Sequence, residues 1–259
     1  MKLDIYQVDA FTSEVFAGNP AAVCPLKADW PGDVLLQSIA AENNLSETAF
    51  FRRENGAYAL RWFTPRSEVD LCGHATLASA FVIFHHLETG APALRFDTCS
   101  GQLEVTRDGE LLRMDFPSHP ARRLAGDTDL SAALGSEPAE VLLSRDYLAV
   151  FDTQAEMLAL DPDMRLLEKL RRGVIVSAPG EDADCVSRYF APHVGIPEDP
   201  VTGSAHCTLV PYWAQRLGRS TLRCRQLSAR GGELLCEDLG ARVAIGGRAV
   251  QYLRGQIEV

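Results

Sequence analysis

"GHATLASAFVIFHHL" (Gly73 to Leu87) and "GSAHCTLVPYWAQRL" (Gly203 to Leu217) are two versions of one segment, 130 positions apart. Each opens on a glycine, continues through small and hydroxyl residues, and runs into an apolar stretch. A helix that is hydrophobic on nearly all sides belongs inside a core. Each segment is therefore expected to be the central helix of its own domain. The flanks repeat at similar spacing: "RWFTP" (Arg61 to Pro65) resembles "RYFAP" (Arg188 to Pro192), Arg95 matches Arg225, and Gly101 matches Gly231. Each copy reads strand, loop, glycine, apolar helix, strand, glycine-containing turn, strand. The period is far too long for a solenoid, so the pattern is that of a duplicated domain. The polar stretch "PSHPARRLAGDTDLS" (Pro117 to Ser131), with two prolines and mixed charge, reads as the junction. The expected domains are 1–117 and 118–259.

Elsewhere period-2 alternation dominates. "LDIYQVDAF", "YALRWF", "LEVTR", "LLRMDF", "YLAVF", "GVIVSA", "LRCRQL" and "RVAIGG" all read as strands. Few helices stand out beyond the central pair. One surrounds "DWPGDVLLQSIAAENN", with Pro31 suited to a first turn. Another is "DPDMRLLEKLRR" (Asp161 to Arg172). Strands outnumber helices and do not alternate strictly with them, which predicts an α+β fold rather than a doubly wound parallel sheet.

The whole-chain properties exclude several classes of function. Of 259 residues, 46% are hydrophobic and 23% charged, an ordinary globular composition. The net charge of −10 argues against nucleic acid as a partner, because phosphate binding needs a basic surface. A small anion is still compatible, since helix starts and single arginines can bind one. No apolar run is long enough to span a bilayer, and "MKLDIYQVDAF" lacks the apolar region of a signal peptide. The seven cysteines are odd in number and contain no CxxC pair, so neither a disulfide framework nor a zinc site is signalled. Reduced thiols in a cytoplasm fit best.

Chemistry is expected at the two glycine turns, "CGHAT" and "TGSAH". A helix start presents backbone N–H groups and partial positive charge, and two starts on related domains could grip a small carboxylate across a cleft. Cys72 sits at such a start, where a thiol can be acidified. Cofactor-independent racemases use two thiols on opposite faces of a carbon, but the position matching Cys72 is Thr202. One half of the pair is missing, so Cys72 reads as a small packing residue. His74, in the first turn, shares the site. Glu47, in "NNLSETAFF", lies between small residues and an apolar strand. Such a carboxylate would have a raised pKa and could move protons near neutrality. Glu47 has no acidic counterpart at the equivalent place in the second copy; there the acid nearest the glycine turn is Asp199, in the longer loop "EDPVTGS".

At these residues the chain resembles the PhzF family of phenazine-biosynthesis-like isomerases. "VDAFTSEVFAGNPAAVC" (Val8 to Cys24), "NNLSETAFF" (Asn43 to Phe51), "RWFTPRSEVDLCGHATLASA" (Arg61 to Ala80), "EDPVTGSAHC" (Glu198 to Cys207) and "SARGGEL" (Ser228 to Leu234) match its pattern in order. The resemblance implies two diaminopimelate epimerase-like α+β domains, each a sheet wrapped around a central helix. It allows the last strand to cross back to the first domain, and it implies a homodimer. The characterised member isomerises trans-2,3-dihydro-3-hydroxyanthranilate with neither cofactor nor metal. By resemblance Glu47 takes and returns the proton, while His74, Asp199 and Ser204 support substrate and transfer. Ser46, Gly73, Thr202, Gly203 and Gly231 are the expected substrate-binding residues. The expected function is cofactor-independent isomerisation of a small carboxylic acid. The alternatives are an amino-acid racemase or epimerase using Cys72 with a non-thiol partner, and a non-catalytic small-molecule binder.

Overall fold

A computed structural model describes residues 1–27, 29–124 and 129–259. The expected junction at 117–131 includes 125–128, which lie outside the described residues. The chain divides into two compact units, Met1–Asp115 with Gly246–Val259, and Phe116–Ile245.

The first unit carries β1 (Lys2–Ala10), β2 (Asn19–Pro25), α1 (Asp33–Asn43), β3 (Glu47–Glu54), β4 (Ala57–Phe63), β5 (Glu68–Val69), α2 (Gly73–Val82), β6 (Ala93–Thr98), β7 (Gly101–Asp108) and β8 (Leu111–Pro117). Alternation places the strand faces: in β7, Leu103 and Val105 are buried while Gln102, Glu104 and Thr106 are exposed. β1–β2 is antiparallel, β2–β3 parallel, β3–β4 antiparallel, β4–β6 parallel and β6–β7 antiparallel. α2 lies against β1, β2 and β3. Nine of its ten residues are buried. Its buried hydroxyls are satisfied within the helix, Thr76 Oγ1 donating to Cys72 O at 2.6 Å and Ser79 Oγ to Ala75 O at 2.7 Å. α1 packs Leu36, Ile39 and Ala40 into a cluster with Ile5, Cys24, Phe50 and Phe63. It begins at Asp33 after an extended Gly32, so Pro31 stands outside the first turn rather than in it.

The second unit carries β9 (Arg122–Arg123), α3 (Leu130–Leu134), β10 (Glu140–Leu143), β11 (Tyr147–Val150), α4 (Gln154–Leu158), α5 (Met164–Lys169), β12 (Val174–Pro179), β13 (Cys185–Ala191), β14 (Ile196–Asp199), α6 (Gly203–Leu217), β15 (Thr221–Gln226), β16 (Gly232–Asp238) and β17 (Arg242–Gly247). Its ladder repeats that of the first unit. β10–β11 is antiparallel, β11–β12 parallel, β12–β13 antiparallel, β13–β15 parallel and β15–β16 antiparallel. The duplication read from residue patterns is thus also a duplication of strand order and direction.

Two local features show how the sequence is accommodated. Pro211 lies inside α6, where it cannot donate to the carbonyl four residues back. That carbonyl, of Cys207, instead accepts from the His119 backbone N–H at 2.9 Å. Asp163 caps α5, accepting from the backbone N–H groups of Arg165 and Leu166. The helix predicted over Asp161 to Arg172 is accordingly the shorter Met164–Lys169.

The last strand, β18 (Ala249–Glu258), belongs to the first unit. It runs antiparallel to β1 from Ala10↔Ala249 to Lys2↔Glu258, with a register shift between Gln7 and Val8.

Candidate functional site

Glu47 is the first residue of β3 and sits opposite Ala21 of the parallel strand β2. Asn19 opens β2 two residues earlier, on the same face as Ala21. Before it, Gly18 has φ +65°, and a Cβ there would stand 2.2 Å from the Ala10 carbonyl oxygen. Only glycine suits that turn, which delivers Asn19 into the core. Cys72 is the extended N-cap of α2, and His74 lies in the first turn.

These four residues converge within the first unit. His74 Nε2 lies 3.1 Å from Glu47 Oε2, with both side chains at least nine-tenths out of solvent. On the other side of the ring, His74 Nδ1 meets Asn19 Nδ2 at 3.2 Å and Cys72 Sγ at 3.5 Å. Burial works against a charge on His74, but the Cys72 sulfur and the Glu47 carboxylate outweigh it. The imidazole therefore titrates above the ordinary histidine value. The Cys72 thiol is pushed up to about 11, by burial first and the Glu47 charge second. At neutral pH Cys72 is a thiol, not a nucleophilic thiolate.

The sequence signalled Glu47 and His74, which do come together. Cys72 is buried as expected, yet it also touches the imidazole. Asn19 was not singled out; its signal was the Gly-Asn-Pro turn inside "AGNPAAVC". No CxxC spacing marks a metal site, but Glu47, Cys72 and His74 each bring a ligand atom within 4.8 Å of the others. Ser46 is half-buried in the loop before Glu47. That loop follows Asn44, which ends α1 in the left-handed conformation.

In the second unit, Asp199 ends β14 and Thr202 is the N-cap of α6. Thr202 Oγ1 donates to Asp199 Oδ2 at 2.5 Å. Gln226, fully buried at the end of β15, ties the loop together. Its Nε2 donates to Asp199 O at 2.7 Å and to Thr202 Oγ1 at 3.2 Å, and its Oε1 accepts from the Thr202 N–H at 2.8 Å. Ser204 is half-buried in the first turn of α6. Gly231 has φ +65° and donates its N–H to Ser228 Oγ, whose hydroxyl donates to Pro200 O. Gln226 had no sequence signal, because a glutamine in a strand is ordinary until its partners are known. His206, inside α6, turns its Nδ1 to the Thr202 carbonyl at 2.9 Å.

α2 and α6 start alike. Each begins on glycine after an extended N-cap residue, with no side-chain cap hydrogen bond. Cys72 and Thr202 hold matching places, as the residue patterns indicated.

Comparison with known proteins gives the family and the fold. The family described as phenazine biosynthesis-like protein matches residues 8–255. An uncharacterized isomerase of Pseudomonas aeruginosa is 54% identical, over the full length of both chains. A crystal structure of a phenazine biosynthesis protein of the PhzF family from Enterococcus faecalis superposes with a TM-score of 0.96 at 46% identity, again covering both chains completely. A probable proline racemase from Agrobacterium radiobacter shares the fold alone, with a TM-score of 0.65 at 13% identity over 99% of this chain and 92% of its own. The architecture is the α+β epimerase-like fold, and the chain belongs to the PhzF family of phenazine biosynthesis-like proteins.

Proposed function

We propose that this protein is a cofactor-independent isomerase of a small carboxylic acid, with Glu47 as the group that moves the proton. The observation that carries this reading is the buried approach of Glu47 Oε2 to His74 Nε2 at 3.1 Å. A carboxylate removed from water and set against an imidazole is placed to take a proton from carbon next to an unsaturated or carbonyl system and to return it elsewhere. His74 keeps the carboxylate oriented and offsets its charge. The helix starts at Gly73 and Gly203 supply N–H groups for a substrate carboxylate or for developing negative charge. Asp199 and Ser204 serve the same reaction, with Ser46, Thr202 and Gly231 as substrate contacts. That a full-length relative carries the name isomerase agrees with this reading. A racemase working through Cys72 as base is disfavoured, because the thiol is pushed up to about 11.

The test is solvent deuterium incorporation read by mass spectrometry. Trans-2,3-dihydro-3-hydroxyanthranilate and a panel of small amino and hydroxy acids are incubated in heavy water with the wild type and Glu47→Gln. Uptake into one compound, abolished by Glu47→Gln and largely kept by Cys72→Ala, is the expected result. Uptake that survives Glu47→Gln sinks the mechanism. Uptake lost equally in Cys72→Ala restores the thiol reading.

A further inference from the structure

The Glu47–Cys72–His74 cluster has a second chemistry that proton transfer does not use. A thiol, an imidazole and a carboxylate each offer a ligand atom, all three residues are buried, and the atoms lie within 4.8 Å of one another. Glu47 Oε2 and His74 Nε2 are also the only polar atoms of those two side chains found buried without a hydrogen bond of good geometry among the described residues. They face each other at 3.1 Å, close enough for an ion pair but poorly angled for a hydrogen bond. The imidazole thus stands between the Glu47 carboxylate at Nε2 and the Cys72 sulfur at Nδ1.

We propose that Glu47, Cys72 and His74 form a binding site for a soft divalent cation, for which Zn²⁺ is the probe, and that its occupancy blocks proton transfer by Glu47. The donor set is sulfur, nitrogen and oxygen, the combination zinc accepts, with bonds of about 2.3 Å to sulfur and about 2.0–2.2 Å to nitrogen and oxygen. Those bond lengths put tetrahedral ligand atoms roughly 3.2–3.8 Å apart, so the ligand atoms, within 4.8 Å of one another, draw together on binding. Three protein ligands leave a fourth position for water. Mg²⁺ and Ca²⁺ want oxygen ligands in larger number and do not fit. Binding is a balanced exchange: Cys72 gives up its thiol proton and His74 the proton on its ligating nitrogen to the buffer, and sulfur–metal and nitrogen–metal bonds form in their place. A carboxylate oxygen engaged by the cation cannot accept a proton from carbon. This blocking consequence rests on the reading of Glu47 as the base; the binding itself does not.

The experiment is a titration of the full chain, kept reduced, with Co²⁺ alone and with Zn²⁺ alone. Co²⁺ is followed by the thiolate-to-cobalt charge-transfer band and Zn²⁺ by calorimetry. One equivalent is expected to bind, with the band present in the wild type and in Cys99→Ala, which removes the exposed cysteine. The band should vanish in Cys72→Ala, and Zn²⁺ affinity should fall at least tenfold in both Cys72→Ala and Glu47→Gln. Heat measured in buffers of different ionisation enthalpy should show net proton release on binding. A band that persists in Cys72→Ala, or Zn²⁺ affinity unchanged in Glu47→Gln, overturns the site. Because Glu47→Gln keeps the size of the side chain, it guards against a Cys72 variant that fails to fold. None of these readouts uses turnover, so failure here leaves the proposed isomerase standing, and failure of the deuterium experiment leaves the cation site standing.

Discussion

Glu47 Oε2 stands 3.1 Å from His74 Nε2, both side chains nine-tenths or more removed from solvent and 27 residues apart in sequence. In the same unit Arg61 and Glu68 form a bidentate pair at 2.7 Å on the surface. The two pairs differ in what surrounds them, and hence in what they contribute.

Removing one partner of a buried pair leaves an uncompensated charge, at a cost of about 3–5 kcal/mol, whereas an exposed pair is worth about 0.2–1 kcal/mol. Denaturant unfolding of His74→Leu should show the larger loss. In a double-mutant cycle with Glu47→Gln, part of that loss should be recovered, since the second change removes the stranded charge. Glu68→Gln should cost no more than the surface figure. A His74→Leu protein as stable as Glu68→Gln contradicts the buried pair.

The pH dependence has a defined sign. His74 titrates higher in the folded chain than in the unfolded one, because the sulfur of Cys72 and the charge of Glu47 outweigh burial. Its contribution to stability is fully present below the unfolded histidine value, about 6.5, and is lost as pH rises through the folded value. Melting temperature measured upward from pH 6 should therefore fall more steeply for the wild type than for His74→Gln. Parallel curves would show that His74 binds no extra proton on folding.

The loop before α6 depends on one amide. Gln226 satisfies Asp199 O, Thr202 Oγ1 and the Thr202 N–H together. Gln226→Leu should cost about 1–3 kcal/mol, the usual penalty for stranding buried polar groups. It should also impair any activity that needs Asp199 and Ser204, while Gln226→Glu retains more of both by keeping one acceptor. Equal melting temperatures for Gln226→Leu and the wild type would contradict this assignment.

Six of the seven cysteines are buried, and only Cys99 is exposed. Even Cys99 is not activated: slight burial and the nearby Asp70 raise its thiol. A disulfide-exchange reagent at pH 8 should modify one thiol per native chain, slowly, and seven in denaturant. The native reaction should disappear in Cys99→Ala. Rapid native modification of Cys72 would show that it is accessible and ionised, contrary to its burial.

Much of the architecture was legible in residue order. Glycine followed by small residues and an apolar run specifies a buried helix wherever it occurs, because backbone propensity and lack of any polar face act locally. Two such segments, flanked by alternating strands at matching distances, determined the duplicated α+β plan and marked Glu47, His74 and Asp199 as residues to watch. Those signals need nothing beyond a few turns of chain.

Tertiary structure alone decided the rest. Pairing of Lys2 with Glu258 places the final strand in the first unit, a contact between the two ends of the chain that no local pattern encodes. The parallel register of Ala21 with Glu47 and the packing of α2 against those strands bring Asn19, Glu47, Cys72 and His74 together from three separate elements. Gln226 becomes informative only once β15 returns beside the Asp199 loop. Hydrogen bonds and ion pairs depend on distances of about 3 Å, and those distances are set by strand registers between segments tens to hundreds of residues apart. Sequence alone determined which elements form and which residues are candidates for chemistry; the pairing of strands decided which of those residues touch.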